Sequence, residues 1–155
     1  MRGMLVIVLT ALLATGFVAF SAGAASTNSV ATQKNLMDAM HGEAFAYIKY
    51  LAYADAARKN GDPELAGIFE RAATMERYSH FVGSAGFAHL VGSDVANLND
   101  AIAGENYEYT TMYPAMAKQA RSEGNTAVAN WLTSVSKDEG RHRDQFKAAL
   151  LKRRK

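Results

Sequence analysis

The sequence predicts an all-α protein whose four antiparallel helices form two hairpins. Over four long stretches, apolar residues recur at steps of three and four, which is the period of an amphipathic helix. The chain has 155 residues, 49% of them apolar, and only two prolines, so we expect one helical domain with a sizeable core. The pattern N-L-x-D-A-x-x-G-E occurs at residues 35–43 and again at 97–105. The repeat indicates that the second hairpin copies the first.

Residues 1–24 are predicted to lie outside this fold as a secretory signal peptide. Arg2 precedes an apolar run from Met4 to Phe20, and Ala22-Gly23-Ala24 fits the small-x-small rule for cleavage. The expected location is therefore exported, periplasmic or extracytoplasmic. The alternative is a membrane anchor formed by residues 4–25, which approach the roughly 20 residues needed to span a bilayer. A membrane partner is expected only if this leader is retained.

The first hairpin is predicted to follow a linker at residues 25–31. Thr32 is the expected N-cap of the first helix, and Asn60-Gly61 is a stop signal. Asp62-Pro63 then begins the second helix, with Asp62 as N-cap. The short connection makes the two helices antiparallel.

Residues 83–93 hold three glycines and are the one long connection that the sequence predicts. A single long crossover between two hairpins is typical of ferritin-like four-helix bundles. Eleven extended residues reach about 36–40 Å, which is enough to run along such a bundle. The bundle domain is predicted to cover residues 32–151, with a basic tail at 152–155.

Five glutamates fall on the apolar stripes of these helices, where burial of an unpaired carboxylate costs several kcal/mol. Bound metal cations would neutralise several of them together. Glu139 and His142 are three residues apart and therefore share a helix face. A di-metal carboxylate site uses one Glu from each of two helices and a Glu-x-x-His from each of the other two. The acids are Glu43, Glu76, Glu105, Glu108 and Glu139.

The predicted site departs from that pattern at two positions. Glu76 should begin the second Glu-x-x-His, but residue 79 is Ser. His80 lies about 100° further round a regular helix, so it reaches the metal only if the helix is locally overwound or bulged. Otherwise His80 is a histidine at the helix edge. Glu108 is an additional acid on the face of Glu105, with a solvated residue as the alternative.

Tyr50 and Tyr113 lie on the same stripes one to two turns beyond the acids. A buried phenol needs a hydrogen-bond partner, and a metal-binding carboxylate would serve. The alternative is ordinary aromatic packing.

The absence of cysteine excludes thiolate metal sites and disulfides, so a metal must be held by oxygen and imidazole. Such ligands suit iron, and manganese is an alternative. The formal charge of +2 gives no reason to expect a nucleic-acid partner.

Residues 103–114, A-G-E-N-Y-E-Y-T-T-M-Y-P, resemble the G-E-x-x-E-[YW]-T-x-M-Y-P signature of rubrerythrins, and the resemblance covers about residues 32–150. It implies a ferritin-like bundle with two irons that reduces hydrogen peroxide to water. It also implies a homodimer, since members commonly pair and some exchange hairpins. The metal ligands implied are Glu43, Glu76, Glu105, Glu108, Glu139 and His142. Tyr50 and Tyr113 match the tyrosines beside the metals, and His80 is the one candidate to replace the histidine missing at Ser79.

Two departures from the family leave other functions open. Ser79 stands where the family has a histidine that exchanges with the extra glutamate at one iron. The chain also lacks the cysteine-ligated iron domain of many members, so we expect a separate electron donor. The alternative function is an exported ferroxidase or an iron- or manganese-binding protein without efficient peroxidase turnover. A helical bundle that has lost its metal is a third interpretation, disfavoured because leftover buried acids would destabilise the core.

Overall fold

The computed structural model of the protein describes residues 28–153, and 89% of these residues are helical, with no strand among them. The predicted signal peptide at residues 1–24 lies outside the described residues. Within the described range, no helix combines the length and the apolar character needed to cross a bilayer.

The first hairpin begins with helix α1 (Val30–Lys59), whose N-cap is Ser29 and not the predicted Thr32. The Ser29 hydroxyl accepts the backbone N–H of Thr32, so Thr32 already belongs to the first turn. The stop at Asn60-Gly61 is confirmed, with Gly61 at a φ of +80° that a side chain would disfavour. Asp62 caps helix α2 (Pro63–Met75) by accepting the N–H of Leu65.

Each hairpin consists of two helical rods, and the second rod of the first hairpin, residues 63–87, is longer than predicted. Helix α2 continues through a π-helical segment (Glu76–Phe81) into helix α3 (Val82–Phe87), so only residues 88–93 remain as a non-helical link. The prediction of a loop from residue 83 was therefore wrong over its first half. The glycines of α3 are tolerated because its end is well capped: His89 has a φ of +51°, and its neighbour Leu90 donates to the carbonyl of Ala85.

The second hairpin repeats this plan. Ser93 caps helix α4 (Asp94–Tyr107), a second π segment (Glu108–Met112) follows, and helix α5 (Tyr113–Ser122) completes the rod. Pro114 stands in the first turn of α5, where its missing N–H does least harm. Helix α6 (Thr126–Arg153) runs back after a tight turn at Gly124.

The packing of the described residues is confined to each hairpin. Helix α1 packs on α2, α3 and the first π segment, and α6 packs on α4, α5 and the second π segment. Each hairpin has its own small core, built mainly from alanines, and no contact joins the two hairpins within residues 28–153. The four predicted helices are thus confirmed, but each hairpin keeps an uncovered apolar face. The two cores contain Ala54, Ala57 and Ala66 with Phe69, and Ala117, Ala120, Ala129 and Leu132 with Tyr113.

Candidate metal centre

The first hairpin brings Glu43, Glu76 and His80 together. Glu43 comes from α1, whereas Glu76 and His80 come from the first π segment. The His80 Nδ1 atom lies 2.7 Å from Glu76 Oε2 and 4.0 Å from Glu43 Oε1. One ligand atom from each of the three residues lies within 4.8 Å of the others. The three side chains therefore form a group that could hold one metal ion.

The π segment is the reason that His80, and not residue 79, joins this group. A π turn closes i→i+5 hydrogen bonds and so takes one more residue per turn than an α turn. Glu76 and His80 are four residues apart, and the wider turn shifts His80 back towards the direction that residue 79 would take in a regular α-helix. The first π segment is the local bulge that His80 needs in order to reach the predicted metal site. Ser79 lies exposed in the same segment.

The second hairpin brings Glu105, Glu139 and His142 together in the same way. The His142 Nδ1 atom lies 2.8 Å from Glu139 Oε2 and 3.6 Å from Glu105 Oε2. The Glu–x–x–His spacing lies here on the regular helix α6. The two Glu–Glu–His groups therefore have the same composition, one on each hairpin.

Paired carboxylates raise the pKa of one acid in each group. The pKa of Glu43 is raised first by the adjacent Glu76 carboxyl and then by burial. The pKa of Glu105 is raised first by burial and then by the adjacent Glu139 carboxyl. In both groups, two carboxylates close enough to share a proton favour either protonation or a bound cation.

The Glu105 carboxylate gives an independent indication that the residues fit a metal. Its Oε2 atom is buried and has no hydrogen-bond partner among the described residues. An unsatisfied buried carboxylate oxygen is costly, and a cation would satisfy it. Carboxylate and imidazole donors together suit iron and manganese alike.

Glu108 and Tyr113 lie close to the second group without belonging to it. Glu108 is half-buried at the start of the second π segment and is not among the atoms gathered within 4.8 Å. Burial raises the pKa of the Tyr113 phenol, and the charges of Glu108, Glu139 and Glu105 raise it further. Tyr113 thus lies in the electrostatic field of the site.

Tyr50 lies in an aromatic cluster of the first hairpin. Its ring centroid is 6.2 Å from that of Phe69 and 6.3 Å from that of Tyr53. The described hydrogen bonds include none that joins Tyr50 to a carboxylate of the site. Its role beside the metals stays a prediction.

Sequence reasoning missed the contacts that fix the second π segment against α6. The Ser136 hydroxyl donates to the carbonyl of Tyr109 at 2.9 Å, and Arg143 lies over the Tyr109 ring at 4.7 Å. Gly140 faces the same ring so closely that a Cβ atom there would lie 3.0 Å from it. The only sequence signal for this packing was Gly140, a glycine inside a helix directly after the candidate ligand Glu139.

Four helices that carry two matched Glu–Glu–His groups are typical of helical proteins whose metal ions are held by carboxylates and imidazoles. The sequence profile of the rubrerythrin family matches residues 34–80 and 77–150. The chain belongs to the rubrerythrin family.

Individual relatives agree with this assignment. The chain is 35% identical over 131 residues to a rubrerythrin of Porphyromonas gingivalis, and the aligned stretch covers 77% of this chain and 66% of that protein. It is 33% identical over 127 residues to a rubrerythrin of Nitratidesulfovibrio vulgaris, covering 74% and 66%. It is 30% identical over 141 residues to Rubrerythrin-1 of Clostridium acetobutylicum, covering 81% and 72%. The chain thus spans about two thirds of the length of the first two relatives.

Proposed function

We propose that the protein is a binuclear iron protein that reduces hydrogen peroxide to water. The observation that supports this most directly is the pair of Glu–Glu–His groups, one on each hairpin. Glu43, Glu76 and His80 would hold one side of the centre, and Glu105, Glu139 and His142 the other. Two ferrous ions would supply the two electrons that peroxide reduction requires.

The residues of the chain would manage protons and charge around that chemistry. Reduction of peroxide to two waters consumes two protons, so an acid near the site is needed. Glu108 lies beside Glu105 but outside the Glu–Glu–His group, which leaves its carboxyl available to carry a proton. Tyr113 would donate from its phenol only to a strong base, because its pKa is raised. We therefore assign the proton relay to Glu108 and a positioning role to Tyr113.

The second candidate is an exported ferroxidase or an iron- or manganese-binding protein without efficient peroxidase turnover. Ser79 supports it, because a serine stands where the resemblance implies a histidine at one iron. The peroxidase would need a separate electron donor, whereas a metal-binding protein would not.

Metal loading of the full chain tests the centre itself. Purified metal-free protein is titrated anaerobically with ferrous iron, and the bound metal is counted per chain. We expect two irons for the wild type and loss of stoichiometric binding in Glu139→Ala, since Glu139 belongs to the second group. Asp138→Ala is the matched control, because Asp138 pairs with Arg141 on the surface and should leave the metal content unchanged. Two irons in Glu139→Ala would contradict the site.

Peroxide and a supplied reductant separate the two candidates. The loaded protein is mixed with hydrogen peroxide, oxidation is followed in the near-ultraviolet, and a chemical reductant is then added. Repeated consumption of peroxide supports the peroxidase. Two bound metals with a single oxidation and no turnover would support the second candidate.

A further inference from the structure

The second π segment takes away both backbone donors that a helix can offer to the carbonyl of Tyr109. A regular α turn would supply the N–H of Tyr113, but that N–H donates to the carbonyl of Glu108. A π turn would supply the N–H of residue 114, which is a proline and has none. The π segment therefore stops at this carbonyl and leaves it in need of a donor.

Helix α6 supplies that donor from the side. The Ser136 hydroxyl donates to the Tyr109 carbonyl at 2.9 Å. Within residues 28–153, Ser136 is the one buried polar side chain, with 7% of its surface exposed. A buried carbonyl without a partner is costly, so this hydroxyl takes the part that a backbone N–H plays elsewhere in the rod.

The bond joins the two parts of the second site at a fixed height. Tyr109 directly follows Glu108, and Ser136 lies three residues, or about one helical turn, before Glu139. We infer that Ser136 is a positioning residue, which holds Glu108 in register with the Glu–Glu–His group of the second hairpin. The role of Glu108 rests on the proton relay proposed above, whereas the bond itself rests on the geometry of the chain.

The internal repeat provides a comparison within the same molecule. At the offset of the repeated N-L-x-D-A-x-x-G-E pattern, Pro114 matches Ala52. At the offset between the second glutamates of the two groups, Ser136 matches Ala73, which is 0% exposed. Helix α1 runs through residue 52 without a π segment. Proline and serine are thus both present in the second hairpin and both replaced by alanine in the first, as expected if the hydroxyl replaces the N–H that proline lacks.

The contacts around Tyr109 allow the bond to be removed by itself. Alanine fills the matching buried position in the first hairpin, so Ser136→Ala should fold. The Tyr109 ring keeps the Arg143 guanidinium at 4.7 Å, and Arg143 also donates to the Asn106 side chain at 3.3 Å. The variant therefore loses the bond to the carbonyl and keeps the packing of the ring.

Amide hydrogen exchange in the metal-free protein tests the bond. Ser136→Ala should speed exchange of the amides of residues 108–113 by about tenfold, because one buried hydrogen bond is lost. Ser134→Ala makes the same change at an exposed position of α6, so it is the matched control and should leave exchange unchanged. Unchanged exchange of residues 108–113 in Ser136→Ala would overturn the proposal.

An N–H at position 114 should rescue the variant. Pro114 is exposed, and Pro114→Ala supplies a backbone donor at the position from which a further π turn would reach the Tyr109 carbonyl. In the Pro114→Ala background, Ser136→Ala should therefore speed exchange by only about threefold or less. A serine that only fills space would have the same effect in both backgrounds, so equal effects would overturn the proposal.

Peroxide oxidation of the iron-loaded protein tests the positioning of Glu108. Ser136→Ala should bind as much iron as the wild type, because the Glu–Glu–His groups are unchanged. It should be oxidised by hydrogen peroxide about tenfold more slowly, and Pro114→Ala should restore most of the rate. Oxidation of Ser136→Ala at the wild-type rate would overturn the positioning role. Wild-type protein that binds iron but is not oxidised by peroxide would instead overturn the proposed function, and the exchange measurements would still decide whether Ser136 replaces the missing N–H.

Discussion

Gly140, which follows the candidate ligand Glu139, shows how one residue fixes the packing of α6 on the second π segment. It faces the Tyr109 ring, where a Cβ atom would lie 3.0 Å from the ring carbons. Gly140→Ala should therefore destabilise the second hairpin by about 1–3 kcal/mol, because the ring or α6 must shift. Denaturant unfolding of the metal-free protein measures this. Lys137→Ala, at an exposed position of the same helix, should change stability by less than about 0.5 kcal/mol. Equal stability of Gly140→Ala and wild type would contradict the close packing.

The carboxylate pairs predict an unusual pH dependence for the metal-free protein. The pKa values of Glu43 and Glu105 are raised above the ordinary 4.5, so the folded chain binds protons that the unfolded chain has released. Their contribution to stability is present below the unfolded pKa and is lost as pH rises through the folded values. The wild type should therefore lose stability, as the pH rises from the ordinary carboxyl pKa of 4.5 to a neutral pH, relative to a variant with Glu43→Gln and Glu105→Gln.

Urea unfolding at the two pH values measures that difference. Glu64→Gln, on the exposed first turn of α2, is the control and should follow the wild type. Parallel pH profiles for the wild type and the double variant would show that neither acid holds its proton more tightly in the folded chain.

At the level of the element, the first π segment accommodates one residue more between Glu76 and His80 than the Glu-x-x-His spacing has. Deletion of Ser79 should convert the segment to a regular α-helix with a Glu-x-x-His, leaving the residues after it in the same register. We expect the deletion variant to keep its helix content and to bind as much metal per chain as the wild type. Deletion of Ala72 from regular α2 is the control, because it rotates all that follows by about 100° and should abolish metal binding. Circular dichroism and metal counting measure both, and loss of folding on Ser79 deletion would contradict this role of the bulge.

The elements also show what the sequence could and could not predict. The helix end at Asn60-Gly61 and the cap at Asp62 were predictable, because capping is local chemistry. The extension of α3 through Gly83 and Gly86 was not, because the hydrogen bonds from Asn28 and Gln33 that support its end come from residues far along the chain. The four acids that the structure groups with a histidine, Glu43, Glu76, Glu105 and Glu139, could be found from their places on apolar stripes, whereas Glu108 lies outside both groups. The inclusion of His80 depended on a bulge that periodicity alone does not locate.

At the scale of the whole molecule, the homodimer that the resemblance implies would tie folding to association. Its stability should depend on protein concentration, because unfolding separates two chains. The midpoint of thermal unfolding should therefore rise as the metal-free wild type is concentrated from micromolar to hundreds of micromolar. Calorimetry across that range measures the midpoint, and a constant midpoint for the wild type would mean that each chain folds alone.

Amphipathic periodicity also has a limit at this scale. The apolar stripes through Glu43 and Glu105 identify the helix faces that need a packing partner. They do not say which chain provides it, since a hairpin of the same chain and a hairpin of another copy would present the same side chains. The length of the non-helical link at residues 88–93 was not predictable either, because it depends on where α3 ends.

The two π segments have one more consequence, which concerns motion. Both lie at the middle of a rod, and both begin at a glutamate of the site or its neighbour, Glu76 and Glu108. A π turn lacks the regular i→i−4 bonding of the helices on either side, so local opening should begin there before it begins in the flanking turns. A metal ion held by Glu76 and His80 would keep the first π segment closed. Binding would then slow amide exchange most at the centre of the rod, where helices are ordinarily least mobile.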